Sequence, residues 1–282
     1  MTWLYLALLS VLGTTLSNIF RKVALKNDQT DPYLSAIIFQ FLGALMVGVI
    51  AFSRGFVLPP ITKYPVNFLL NGILWGIATS LLFKTYQYLD ASEATIITTL
   101  ETVIAILSAT LLLREHFSLV NIIGTIIIIS AVIFVSYKKG LFKFNQGYLY
   151  AFGYSLFAGF GITNDAFLTR NSEPLSYLTI AFALPGIVIL IGSFKKIKIA
   201  KAIYNFTWAK NMLLLTFFYV FAAIAWFLSI SSGGQASQIT PINQSSIILT
   251  IILAVIFLKE RENLPKKVIS ATLVTIGVLL LK

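Results

Sequence analysis

Ten apolar runs, each long enough to cross a bilayer, fill this sequence and leave little chain for anything else. A hydrocarbon core of about 30 Å takes about 20 residues of helix to span. Runs near that length cover 2–20, 33–53, 66–88, 92–113, 118–137, 147–168, 175–194, 211–231, 236–258 and 265–281. Leu, Ile, Phe and Val dominate them without strict alternation, so helices are expected and barrel strands are not. Charged residues make up 11% of the 282, against about a quarter in soluble domains. That balance excludes a soluble enzyme, a disordered chain and a fibrous protein. Breakers and charges punctuate the joints: Asp31-Pro32, Pro59-Pro60, Lys138-Lys139-Gly140, Glu173-Pro174, Gly233-Gly234 and Pro265. The joints are short, so successive helices are expected to be antiparallel neighbours. The first run reads as a retained helix, because Arg21-Lys22 follow it and no basic residue precedes it.

The net charge is +11. Its basic residues fall between the apolar runs, where they set topology and face anionic lipid. No basic stripe interleaved with exposed aromatics points to nucleic acid. The chain has no cysteine, which excludes disulfides, thiolate metal sites and a Cys nucleophile. The single histidine, His116, cannot build a His-based metal site or relay, and no cofactor is expected. Nothing matches a phosphate-binding GxxxxGK[ST] loop. Gly159-Phe160-Gly161 lies within an apolar run and reads as a packing face, as does Gly72 with Gly76.

The sequence also repeats itself. Residues 91–115 (ASEATIITTLETVIAILSATLLLRE) align without gaps on residues 236–260 (ASQITPINQSSIILTIILAVIFLKE). Eight of the 25 positions are identical: Ala91, Ser92, Thr95, Ile97, Ile106, Ala109, Leu113 and Glu115. Apolar composition accounts for the Ile and Leu matches. It does not account for Ala-Ser at one end and a basic–Glu pair at the other. Asp31-Pro32 likewise corresponds to Glu173-Pro174. The expected architecture is an all-α integral membrane protein: ten transmembrane helices in two five-helix repeats, 1–140 and 145–282. An odd number of helices per repeat inverts one relative to the other, and such repeats place a substrate site where the halves meet.

Ten helices in two such halves resemble the drug/metabolite transporter superfamily, in its EamA-type branch. So do the basic–Glu pairs of Leu113-Arg114-Glu115 and Leu258-Lys259-Glu260. The resemblance covers the whole chain and implies a carrier, not an enzyme. It names no single substrate, since relatives move amino acids, nucleotide sugars, sugar phosphates and choline-like amines. It also implies a cavity lined mainly by helices one, three, four, six, eight and nine.

Polar residues on those helices are the candidate site. A charge inside a membrane is costly and needs a partner or a water-filled cavity. Glu101 falls near the middle of the fourth run, as the only acid placed at the midplane, with Ser246 as its repeat equivalent. It reads as a counter-charge for an amino group or as a proton-coupling carboxyl; the alternative is an internal ion pair. Lys84 lies at a depth about 7 Å away and is the expected partner. In the ninth run, Pro241 removes a backbone donor and predicts a broken helix. Asn243 and Gln244 follow it, opposite Thr98 and Thr99, as substrate contacts or interhelical hydrogen bonds. Trp75 is either an aromatic wall or lipid-facing bulk. Trp226, Tyr86, Tyr219 and Tyr154 are lesser candidates of that kind, while Trp3 and Trp208 read as interface anchors. Asn18, Asn164 and Asp165 sit toward helix ends, where gating or interfacial roles are expected.

Loop charge and family resemblance disagree on orientation. Odd-numbered loops carry fifteen basic residues against five in the even-numbered loops and the tail, which puts the odd loops in the cytoplasm and the termini outside. The resemblance implies termini inside. The expected function is secondary transport, by alternating access across the cell's inner membrane, of a small polar metabolite, with an amino acid or small amine favoured. Its partners are that substrate, the bilayer and a coupling proton, and a monomer is expected. A phosphorylated or nucleotide-linked substrate would need several deep cations. A membrane-embedded enzyme would need clustered acids, and Asp90 with Glu93 reads instead as flanking a tight turn. A channel would need a ring of like residues.

Overall fold

The computed structural model describes residues 2–25, 30–113, 118–136, 146–194, 206–232 and 236–281. They form α1 (Thr2–Leu25), α2 (Pro32–Ser53), α3 (Pro65–Tyr88), α4 (Ala91–Thr98), α5 (Leu100–Leu113) and α6 (Leu119–Ser136). Then follow α7 (Gln146–Arg170), α8 (Pro174–Ser193), α9 (Phe206–Ser231), α10 (Ala236–Leu253) and α11 (Leu264–Leu280). A π-turn, Ala254–Leu258, closes α10. Among the described residues there is no strand. Among the described residues seven helical spans are long and apolar enough to cross a membrane, with α4 and part of α5 counting together as one.

Local chemistry sets the boundaries. The Asp31 carboxylate accepts the N–H groups of Tyr33 and Leu34 at 2.8 and 3.0 Å and caps α2, with Pro32 in the first turn. Glu173 does the same for α8, accepting from Leu175 and Ser176 at 3.1 and 2.7 Å, with Pro174 behind it. The two acid–proline pairs that correspond in sequence are therefore one capping device used twice. The fourth span breaks at Thr99. There the hydroxyls of Thr98 and Thr99 both donate back to the Thr95 carbonyl, at 3.2 and 3.0 Å. Such back-bonding competes with the helix's own amide donors. The ninth span, expected to break at Pro241, runs instead as one helix to Leu253.

The outer surface is apolar, unlike that of a soluble protein, and the apolar core also encloses polar side chains. Large apolar side chains line the outside of α6 (Ile122, Ile126, Ile129, Ile133) and of α3 (Val66, Leu69, Ile73). Inside lie Ser17, Asn18, Arg21, Gln40, Asn71, Thr79 and Thr163. Lipid solvates the outer stripes, and polar groups find partners between helices. Gln40 donates to Thr79 at 2.7 Å, tying α2 to α3. Gly72 and Gly76 let α8 approach closely: a Cβ on Gly76 would stand 3.1 Å from Val188 and 3.4 Å from the Pro185 carbonyl.

The main packing pairs are α1 with α9 and α10, α3 with α7 and α8, α5 with α7, α9 with α2, α2 with α8, and α6 with α11. Every one of these pairs joins a helix before residue 140 to one after 145. The two halves interleave and build a single core.

Candidate substrate site

The break at Thr99 places Glu101 on the first turn of α5, facing α7. Its Oε2 accepts the Tyr154 hydroxyl at 2.5 Å. Its Oε1 takes no hydrogen bond from a described residue. The contact depends on Gly159, where a Cβ would lie 2.6 Å from Ile104 and 2.9 Å from the Glu101 carbonyl. The glycine pair read as a packing face thus brings the carboxylate against α7.

A cation faces the same interior. Arg21 is 3% exposed. Four rings surround its guanidinium: Tyr86 at 5.2 Å, Phe39 and Phe83 at 5.8 Å, and Tyr219 at 6.0 Å. One terminal nitrogen donates to Asn18 Oδ1 at 2.9 Å, and Nε is buried without a partner among the described residues. No described carboxylate pairs with it within 4 Å.

Asp165 is a second enclosed carboxylate, fully engaged. It accepts the Trp75 indole N–H at 2.8 Å, the Tyr177 hydroxyl at 2.7 Å and the Asn71 amide at 3.0 Å. One turn of contact away, Asn164 and Asn67 bond reciprocally, side chain to side chain at 2.8 Å and amide to carbonyl at 2.9 Å. These residues weld α7 to α3 and α8.

Several expectations change. Lys84 does not pair with Glu101: its ammonium lies between the rings of Tyr33 and Tyr150, at 4.6 and 4.9 Å. Helix α3 turns that side chain toward α2 and α7 rather than toward α5. Asp165, expected in a gating or interfacial role, is bonded across three helices. Trp75 is neither lipid-facing bulk nor an unoccupied wall, because its N–H serves Asp165 and its ring covers Gly161. Trp208, at the start of α9, is 8% exposed and packs against other helices. Arg21, counted as loop charge, lies within the bundle because Val23-Ala24-Leu25 carry α1 past it. That apolar continuation was the signal in the sequence.

The other candidates are dispersed around this centre. Tyr86 is buried, and its hydroxyl meets that of Thr95 at 3.1 Å. Thr98 is buried and bonded to its own helix. The Ser246 carbonyl accepts the Thr15 hydroxyl at 3.5 Å. Asn243 Oδ1 is buried without a described partner. Trp226 stands edge-on to Phe227. The side chain of Gln244 lies outside the described residues, as do Arg114, Glu115 and His116.

A separate charged cluster holds the turn between α3 and α4. The Glu260 carboxylate accepts the N–H groups of Ala91 and Ser92 at 2.9 and 3.2 Å and the Ser92 hydroxyl at 2.7 Å. The Lys267 ammonium pairs with Asp90 at 2.7 Å. Lys22 donates to the carbonyls of Tyr86 and Leu89, at 3.1 and 2.6 Å. Beside them lies a cavity of about 310 Å³ lined by Lys22, Asp90, Lys259, Glu260, Arg261 and Glu262. The two aligned stretches of sequence meet here: Ala91-Ser92, at the start of one, is capped by Glu260, at the end of the other.

The profile of the EamA-like transporter family matches this sequence twice, over residues 1–137 and 145–282. A solved protein crystal structure superposes with a TM-score of 0.66 over 96% of this chain and 95% of its own, at 14% identity. That likeness concerns the fold alone. No curated protein matches in sequence.

Proposed function

Because this chain belongs to the EamA-like transporter family of the drug/metabolite transporter superfamily, we propose that it is a secondary carrier of a small polar metabolite, an amino acid or small amine, working by alternating access. The family is one of membrane transporters and not of enzymes. The observation that carries the substrate class is Glu101 held by Tyr154 inside the bundle, with one carboxylate oxygen unengaged by any described residue. That oxygen suits a substrate ammonium or a coupling proton. A phosphorylated substrate fits less well, because Lys267, the other fully buried described cation, is already committed to Asp90.

The architecture in this reading is ten transmembrane helices in two inverted repeats, 1–140 and 145–282, acting as one monomeric unit in the cell's inner membrane. Two observations support it. The family profile matches once in each half. The packing pairs also exchange among themselves when the halves are swapped: α1–α9 corresponds to α7–α3, α10–α1 to α5–α7, and α9–α2 to α3–α8, while α2–α8 and α6–α11 map onto themselves. Rocking one repeat against the other would then expose the Glu101 region alternately to each side.

The test is charge movement and labelled counterflow in proteoliposomes, wild type beside Glu101→Gln, with amino acids, choline-like amines and phosphorylated metabolites as probes. Saturable movement of the first two classes that the substitution abolishes is the expected result. Identical responses from both proteins would make Glu101 structural.

A further inference from the structure

Asp165 has no use in the site as read from Glu101, and its surroundings are unusual for a structural acid. A carboxylate inside a membrane normally pairs with a cation. Among the described residues Asp165 meets none. Its partners are three neutral donors: the Trp75 indole at 2.8 Å, the Tyr177 hydroxyl at 2.7 Å and the Asn71 amide at 3.0 Å. Trp75 and Asn71 stand on α3, in the first half of the chain, while α7 and α8 belong to the second. Asn71 is fully buried, and its Oδ1 has no partner among the described residues. Turning that amide over replaces a donor with an acceptor at the carboxyl, so the same residues can serve Asp165 with or without a proton. Asp165 itself keeps partial exposure and lies five residues from the exposed Arg170 that ends α7, about 7.5 Å of helix.

Tyr177 is its one titratable contact among the described residues. Glu101 on α5 and Glu93 on α4 bond to Tyr154 and Tyr148, which precede Asp165 on α7 by about 16 and 25 Å. Lys84, toward the other end of α3, lies between Tyr33 and Tyr150. Tyr64, before α3, bonds to Asn171, and Glu173 caps its own helix, α8.

We propose that Asp165 is the proton-binding site that couples this carrier to a pH gradient. This rests on the carrier reading above and deepens it, leaving Glu101 to the substrate ammonium. The ionised carboxylate joins α3 to α7 and α8 through charge-assisted hydrogen bonds. Parting α3 from α7 takes away two of the three donors, and a carboxylate left bare in a membrane is costly. A hydronium ion in the adjoining water then gives its proton to a carboxylate oxygen and becomes water. When the helices close again the donors return, and the proton leaves to water on the side then open. Proton affinity therefore differs between the two states, which is the condition for a ligand to shift them.

The experiment uses the full chain in proteoliposomes with two readouts. The first needs no substrate: tryptophan fluorescence titrated from about pH 4 to about pH 9, with Trp75 as reporter because its N–H serves the carboxylate. Wild type should show a transition that Asp165→Asn lacks. Tyr177→Phe removes one donor from the ionised form, so ionisation needs a higher pH and the midpoint should rise by about one unit. A transition unchanged in Asp165→Asn overturns the site. Should that variant fail to fold, an unmoved midpoint in Tyr177→Phe overturns it instead. The second readout compares transport driven by a pH gradient of either polarity with counterflow. Its probes are ¹⁴C-labelled neutral amino acids and the amines made by decarboxylating them. In Asp165→Asn, gradient-driven transport should fall about tenfold further than counterflow. Equal losses overturn the coupling role. Wild-type counterflow that no gradient stimulates overturns it too and leaves the carrier reading standing. If wild type gives no counterflow with either mixture, both fall.

Discussion

Tyr154 is the residue on which Glu101 depends. Its hydroxyl is the one described donor to that carboxylate. A hydrogen bond to a charged group is worth about 1.5–3 kcal/mol, so Tyr154→Phe should lower uptake by roughly tenfold to a hundredfold. Uptake kinetics in proteoliposomes check this; an unchanged rate would show that Glu101 does not need its hydroxyl. Glu173 offers a second test, outside the spanning segments. Partial burial pushes its carboxyl upward. The Ser176 hydroxyl and the N–H groups of Ser176 and Leu175 outweigh that and hold it below its usual range. A carboxyl lowered on folding adds stability above its unfolded value, about 4.3. That stability disappears as pH falls through the lower folded value. The melting-temperature advantage of wild type over Glu173→Gln should therefore shrink on acidification from about pH 6 to about pH 3. A constant difference across that range would mean the cap does not titrate with folding.

At the scale of elements, the closest approach near the site is α5 against α7 at Gly159. A methyl group there would stand 2.6 Å from Ile104. Overpacking of this sort costs roughly 1–3 kcal/mol. Gly159→Ala should separate the helices at Glu101 and lower uptake more than it lowers the melting temperature. The opposite ranking would make the glycine purely structural. The turn between α3 and α4 is held from other elements by Glu260, Lys267 and Lys22. Glu260→Gln keeps the shape of the cap and removes its charge from a helix N-terminus, a loss of about 1 kcal/mol. Thermal unfolding in detergent should register that loss. The same turn explains why Ala-Ser and Glu recur together in the sequence although 23 or so residues part them within a copy. Their partners are in the opposite copy, and a repeat compared only with itself cannot reveal that.

For the whole molecule, the proposed inversion of the two halves makes a directional prediction. Ser118, just before α6, and Glu262, just before α11, occupy nearly corresponding places in the two repeats. Both are exposed. The chain has no native cysteine, so Ser118→Cys and Glu262→Cys each carry a single thiol. In intact cells an impermeant maleimide should label one and not the other, and the labelled one also fixes which face is outside. Labelling of both would rule out ten spans in inverted halves. Because the strongest packing pairs all join one half to the other, fragments 1–140 and 145–282 expressed alone should be unstable, and together should recover uptake. Uptake by either fragment alone would contradict the interleaved core.

The sequence by itself determined the solvent and the element type. Runs of about 20 apolar residues have no stable alternative to helix in lipid, and acid–proline pairs start helices wherever they occur. It also exposed the repeat and singled out Glu101, because an acid inside an apolar run is conspicuous. Only the tertiary structure decided the partners. Lys84 and Glu101 have suitable depths along their helices, yet depth says nothing about rotation, and α3 turns Lys84 toward Tyr33 and Tyr150. Arg21 stands beside Lys22 in the sequence and looks like loop charge. One residue of helix turns the chain by about 100°, enough to send Arg21 into a ring of aromatics while Lys22 reaches the end of α3. Which way each helix face points is set by packing across the two halves, and that information is spread over residues far apart in the chain.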